Sequence, residues 1–159
     1  MRIAAFLAAF LALSGCFVPI VVMTPAAVIS REREVSAPTD ARFDAAFASF
    51  RREQGLPVAT PNAAMARAAQ RHAEDMVAQG YFDHVSKDGR SYIQRLAEQG
   101  YESCYPVENL AWGQDTSEQA LREWIGSPGH LRNLQVAGEA EYGLGHAGNI
   151  YVLMVSRLC

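Results

Sequence analysis

Ile150-Tyr151-Val152-Leu153-Met154-Val155 is apolar at every position and follows a Gly148-Asn149 turn. A strand with one wet face alternates apolar and polar residues, whereas an unbroken run marks a strand covered on both faces. Ile150 to Leu158 is therefore read as a strand inside a sheet, with Tyr142 to Leu144 pairing to it across the turn. Helices to cover such a sheet lie upstream. Phe43, Ala46, Phe47 and Phe50 recur at helical spacing from about Asp40 to Gln54, where Gly55 stops the run. Thr60-Pro61-Asn62 caps a second helix whose stripe is Met65, Ala68, Ala69, His72 and Met76 and which ends at Gly80. A short helix is expected from about Ser91 to Gln99. Another starts at Thr116 with Gln119 completing a capping box, carries Ala120, Leu121 and Trp124, and is broken by Pro128-Gly129. Helices preceding a small, doubly covered sheet predict an α+β fold, a three-layer α-β-α sandwich with a small antiparallel sheet.

The 159 residues, half of them apolar, suit one domain. A net charge of -3 gives no basic face for nucleic acid, so no nucleic-acid partner is expected. Of the 14 basic residues only Lys87 is a lysine, and alanine is abundant. This reads as genomic base-composition bias, which gives no single arginine special weight.

The beginning of the chain reads as a processing signal. Arg2, the apolar run Ile3 to Leu13 and then Leu13-Ser14-Gly15-Cys16 describe a signal peptide over residues 1–15. Its last four residues resemble a bacterial lipobox, in which Cys16 is lipidated. Residues 16–39 then form a tether or linker, polar from Ser30 onward, and the domain occupies 40–159. The alternative is an uncleaved anchor, because apolar residues continue to Ile29; Gly15, Pro19 and Pro25 interrupt it. On either reading the domain is exported, and lipidation makes it a cell-envelope lipoprotein. It would face the periplasm or sit at the outer membrane if the source has two membranes. Lipidation of Cys16 leaves Cys104 and Cys159, an even pair in an oxidising compartment, expected as a disulfide that closes a long loop and contributes roughly 4 kcal/mol. Two separate buried thiols are the alternative.

The zinc-protease HExxH, paired CxxC, Walker and GxGxxG signatures are absent. Ser127 lacks the glycine two residues upstream that a nucleophile elbow requires. His72 falls on an apolar helical stripe and reads as a core residue. His84 and His130 lie instead among glycines and prolines, where scaffolds carry functional groups, and Glu108-Asn109 lies between them in sequence. Two imidazoles and a carboxylate could hold a divalent ion, zinc foremost, although spacing alone leaves solvated loop residues as the other reading.

A series of short motifs, in order, carries a family resemblance. Gly55-Leu56-Pro57, Ala69-Gln70-Arg71-His72-Ala73-Glu74-Asp75-Met76, Gly80-Tyr81-Phe82-Asp83-His84 with Asp88-Gly89, Arg95, Gly100-Tyr101, Glu108-Asn109-Leu110-Ala111-Trp112-Gly113, Trp124 and Ser127-Pro128-Gly129-His130 resemble the bacterial branch of the CAP superfamily. That superfamily shares the SCP domain with cysteine-rich secretory proteins, antigen 5 and plant pathogenesis-related proteins. The resemblance implies an α-β-α sandwich and a cleft of two histidines and two glutamates that binds a divalent cation in some members. By position, His84 and His130 are the histidines and Glu108 the first glutamate. Ser127 stands where the second glutamate usually lies, and Val107 replaces a common glycine. Glu123, one residue before Trp124, is expected to face elsewhere.

Three functions fit these residues. The first is a non-enzymatic binding module at the envelope, tethered to the membrane through Cys16, with a lipid, peptidoglycan or protein ligand. The second is a metal-assisted hydrolase of peptide or peptidoglycan with Glu108 as base. The third is a structural cleft whose polar groups lock the loops. The tether is directly testable: Cys16→Ser should move the protein from the membrane to the soluble fraction or block its maturation. Finding Met1 intact on mature, membrane-bound protein would refute lipidation.

Overall fold

The computed structural model describes residues 40–102 and 104–159. The expected signal peptide, Cys16 and the expected tether therefore lie outside the described residues. The elements in chain order are α1 (Ala41–Glu53), β1 (Thr60–Pro61), α2 (Ala63–Gln79), α3 (Tyr92–Glu98), β2 (Tyr105–Trp112), α4 (Ser117–Gly126), α5 (Pro128–Leu134), β3 (Ala140–Ala147) and β4 (Ile150–Arg157). The strands form one sheet in the order β1-β3-β4-β2. β4 pairs antiparallel with both β2 and β3, and β1 adds a two-residue parallel pair at the edge of β3.

The all-apolar strand does what its pattern implies. Tyr151, Leu153 and Val155 point into a core with Phe43, Phe47 and Phe50 of α1 and Leu121 and Trp124 of α4. Ile150, Val152 and Met154 point into a second core with Met65, Ala69, Ala73 and Met76 of α2 and Leu96 of α3. One strand thus supplies both hydrophobic layers, which is the three-layer sandwich expected from sequence.

The caps sit where the sequence placed them. Asn62 accepts from the Ala64 and Met65 amides, Gly80 ends α2 in the left-handed region, and Thr116 with Gln119 forms a capping box on α4. Three elements differ from the sequence reading. Tyr105–Trp112 is a full strand, although Pro106 and the lack of alternation hide it. It lies at the sheet edge, where a missing backbone N–H is tolerated. Pro128 does not merely stop α4; it opens α5 from its first turn, where its ring costs no hydrogen bond. Thr60-Pro61, read only as part of a helix cap, also forms β1.

Two arginines carry weight that composition had denied them. Arg51 is fully buried and donates to the carbonyls of Pro57, Leu134, Val136 and Gly138 at 2.7 to 3.2 Å. It thereby fastens the connection between α5 and β3 onto α1, and its burial pushes its pKa down. Arg95 belongs to the site below. Cys104 and Cys159 are joined, with Cα atoms 5.3 Å apart, within the range a disulfide requires. The bridge fastens the segment before β2 to the segment after β4.

α2 lies directly on β3. A Cβ on Gly143 would sit 2.1 Å from the backbone nitrogen of Ala66, and one on Gly145 would sit 2.1 Å from that of Gln70. Both contacts are with helix backbone, which cannot swing aside. Gly143→Ala should therefore destabilise the fold by about 3 kcal/mol or more, read from its urea unfolding midpoint. A loss under about 1 kcal/mol, the ordinary scale of a point mutation, would show that α2 can ride up off the sheet.

Candidate functional site

Edge strand β2 organises the site by its alternation. Glu108 lies opposite Met154 and so projects to the α2/α3 side, whereas Asn109 lies opposite Leu153 and projects to the α4/α5 side. Each anchors one histidine-bearing segment.

On the first side the Glu108 side chain is fully buried, and both of its oxygens are engaged. Oε1 accepts from His84 Nδ1 at 2.8 Å, and Oε2 accepts from Arg95 Nη2 at 2.7 Å. A carboxylate only accepts, so His84 carries a proton on Nδ1. Arg95 follows the Ser91 capping box that starts α3, and it is itself buried. It also donates twice to the His84 carbonyl at 3.1 Å and once to the Arg90 carbonyl at 2.9 Å. His72 steadies the same loop from α2, its Nε2 donating to the Asp83 carbonyl at 2.9 Å. His72 is buried and does not touch Glu108; it sits behind the site, as its place on the apolar stripe implied.

On the other side Asn109 Nδ2 donates to the His130 carbonyl at 3.0 Å. Asn133 Nδ2 bonds Asn109 Oδ1 at 2.8 Å and the Glu108 carbonyl at 3.2 Å. α5 is thus hung on β2 by two asparagines. His130 Nδ1 is buried and has no hydrogen-bond partner among the described residues. Burial lowers the His130 pKa, the charge on His84 lowers it further, and the charge on Glu123 opposes this. The two imidazoles therefore sense one another electrostatically.

Ser127 is the N-cap of α5 but makes no side-chain cap bond, and it supplies no carboxylate. Glu123 does not simply face away from the site. Its carboxylate accepts from Gln114 Nε2, and its charge acts on His130. Lying one residue before the buried Trp124 takes Glu123 out of the core without taking it out of electrostatic reach. In the sequence Arg95 stands out only as part of the family motif, and Asn133 does not stand out. Neither carries a periodicity or spacing signal, because their roles depend on partners distant in sequence.

The profile of the cysteine-rich secretory protein family matches residues 45–149. The chain belongs to the cysteine-rich secretory protein (CAP) family. Among relatives, the Bacillus subtilis (strain 168) uncharacterized protein YkwD is 28% identical over 129 residues, covering 80% of this chain and 47% of YkwD. The uncharacterized membrane protein YlbC of the same organism is 34% identical over 74 residues, which is 46% of this chain and 21% of YlbC. The chain thus spans less than half the length of either relative. Among solved structures, an extracellular SCP-domain protein from Bacillus anthracis str. Ames is 26% identical with a TM-score of 0.68, covering 74% of this chain and 39% of that one. An outer surface protein from Borrelia burgdorferi, 19% identical, shares the fold with a TM-score of 0.60 over 72% of this chain and 86% of its own.

The histidines of this CAP domain should titrate apart. The hydrogen bond it donates to Glu108 raises the His84 pKa above its ordinary 6.5, against the opposing effect of partial burial, while burial lowers those of His72 and His130. The His84 contact thus stabilises the fold fully below pH 6.5 and fades as pH rises through the raised value. For His72 and His130 the sign is opposite: their stabilisation is present above 6.5 and is lost as pH falls through the lowered values. An imidazole NMR titration should place the His84 midpoint above 6.5 and the other two below it, and Glu108→Gln should bring His84 down. A His84 midpoint unmoved by that substitution would refute the assignment.

Proposed function

We propose that this protein is an exported CAP-domain binding module, tethered at the cell envelope through Cys16, whose ligand docks over the cleft of His84, Glu108 and His130. The observation that carries this reading is the engagement of Glu108. Its two oxygens face Arg95 and His84, and its side chain is fully buried. A general base must come within hydrogen-bond reach of the substrate, and this carboxylate is buried behind its two partners. The cleft offers solvent the half-exposed imidazole of His84 instead. Two residues upstream, Phe82 lines an apolar depression of about 540 Å³ with Trp112. Their rings lie 5.9 Å apart and both are exposed, which suits the apolar part of a lipid, peptidoglycan or protein ligand. The structural neighbours from Bacillus anthracis and Borrelia burgdorferi are an extracellular and an outer-surface protein, which agrees with export.

A divalent cation fits this arrangement through two imidazoles rather than three side chains. Among the described residues no group of three His, Cys, Asp or Glu side chains is placed to hold an ion. Glu108 stands behind His84 as carboxylates stand behind metal-bound histidines, fixing its tautomer and turning Nε2 outward. His84 and His130 would hold the ion, zinc by its preference for imidazole nitrogen, and water would complete the shell. A bound ion supplies a positive centre for a carbonyl or carboxylate of the ligand. The Arg95–Glu108–His84 network also favours a second reading, a cleft whose polar groups serve only to lock the loops.

Calorimetric titration with zinc separates the two. The binding reading expects one ion per chain, with affinity reduced at least about tenfold in His84→Ala, in His130→Ala and in Glu108→Gln. Retention of the protein on purified cell wall or envelope lipid vesicles should fall in the same variants. Variants that lose stability alone, with wild-type protein taking up no zinc and no envelope material, would leave the structural reading standing.

A further inference from the structure

Arg95 faces two ways. Its Nη atoms serve Glu108, Ser86 and the carbonyls of His84 and Arg90, but its Nε–H is buried and has no partner among the described residues. An orphaned N–H on a guanidinium that is 4% exposed is costly unless something accepts from it. Arg95 also lines a partly open cavity of about 130 Å³, together with Arg71 and His72 of α2, Ser86, Arg90 and Glu98. An engineered apolar cavity of about 150 Å³ accommodates benzene, so this one is large enough for a small ligand.

Most other polar groups around the cavity are already engaged. Asp75 accepts from Tyr81 and Gln79 at 2.5 Å, and Glu98 accepts from Arg90 at 2.7 Å. Ser86 Oγ accepts from Arg95 and approaches His72 Nδ1, while His72 Nε2 donates to the Asp83 carbonyl. Arg71, by contrast, has no ion pair or hydrogen bond among the described residues. Two guanidinium groups with uncommitted donors therefore line one cavity. Arg95 is paired with Glu108 and Arg90 with Asp88 and Glu98, so Arg71 is the one guanidinium of the lining without a carboxylate partner among the described residues.

We propose that the cavity between α2 and α3 is a second binding site, for a small singly charged carboxylate held by Arg95 Nε and the Arg71 guanidinium. A planar carboxylate accepts from two guanidinium groups at once, and its single charge matches the one guanidinium of the lining, Arg71, that lacks a carboxylate partner. A dianionic phosphate does not match it, since Asp75 and Glu98 oppose the second charge. Arg95 also holds Glu108, so an occupant here fixes the guanidinium on which the cleft depends. The site does not rest on the cleft reading: binding at His84 and His130 neither requires nor excludes an occupant behind Arg95.

Arginine Nε–H resonances in a proton–nitrogen NMR spectrum test this on the folded protein. Acetate, added at constant ionic strength against chloride, should shift the Arg95 Nε resonance to saturation. Arg71→Ala, an exposed substitution that leaves Arg95 in place, should weaken acetate binding by about tenfold or more. Alanyl-alanine compared with its C-terminal amide separates the sources. A response to the free acid alone identifies a peptide chain end, and a response to acetate but not to the dipeptide identifies a free small carboxylate; both support the site. No saturable shift, an equal shift with chloride, affinity unchanged in Arg71→Ala, or phosphate binding tighter than acetate would each overturn it.

Discussion

The close seating of α2 on β3 governs everything downstream of it. Where Gly143 and Gly145 face the helix, backbone lies against backbone with no room for a methyl group. That contact sets the height and register of α2 over the sheet, and with them the place of His72. His72 in turn holds the Asp83 carbonyl, so the next residue, His84, is presented to Glu108 from a loop that is otherwise short of regular structure. A packing constraint between two glycines and a helix is transmitted in this way to the one half-exposed imidazole of the cleft.

Relative magnitudes decide which contact keeps Glu108 buried. Withdrawing a carboxylate from water costs several kcal/mol, and removing a buried partner typically costs about 3–5 kcal/mol. Arg95 is permanently charged, nearly inaccessible, and tied to Glu108 in the interior, so it supplies most of the compensation. His84 is half open to solvent, which screens its contribution, and its charge depends on pH. The carboxylate is therefore held by a fixed cation on one side and trimmed by an adjustable one on the other.

Legibility from sequence followed physical locality. Helices α1, α2 and α4 were readable because their apolar stripes and caps lie within one or two turns, and β4 because burial on two faces removes its polar positions altogether. β2 escaped because an edge strand tolerates Pro106 and carries Glu108 and Asn109 for reasons of partnership rather than burial. α5 escaped because Pro128 has the same sequence signature whether it ends one helix or begins another. The resemblance pointed to His84, Glu108 and His130, and composition alone discounted the arginines. Arg51 and Arg95 acquire their roles from carbonyls and a carboxylate distant along the chain, and base composition cannot register that.

The position of β4 in chain order bears on when folding can happen. It is the last element, yet both hydrophobic layers close on it, and β2 and β3 find their common neighbour only there. Until residues 150–155 emerge from the ribosome, the phenylalanines of α1 and the methionines of α2 have no sheet to close upon. A nascent chain built in this order cannot complete either hydrophobic layer until synthesis has passed β4. Under the export proposed above, that closure and the joining of Cys104 to Cys159 fall to the oxidising side of the membrane.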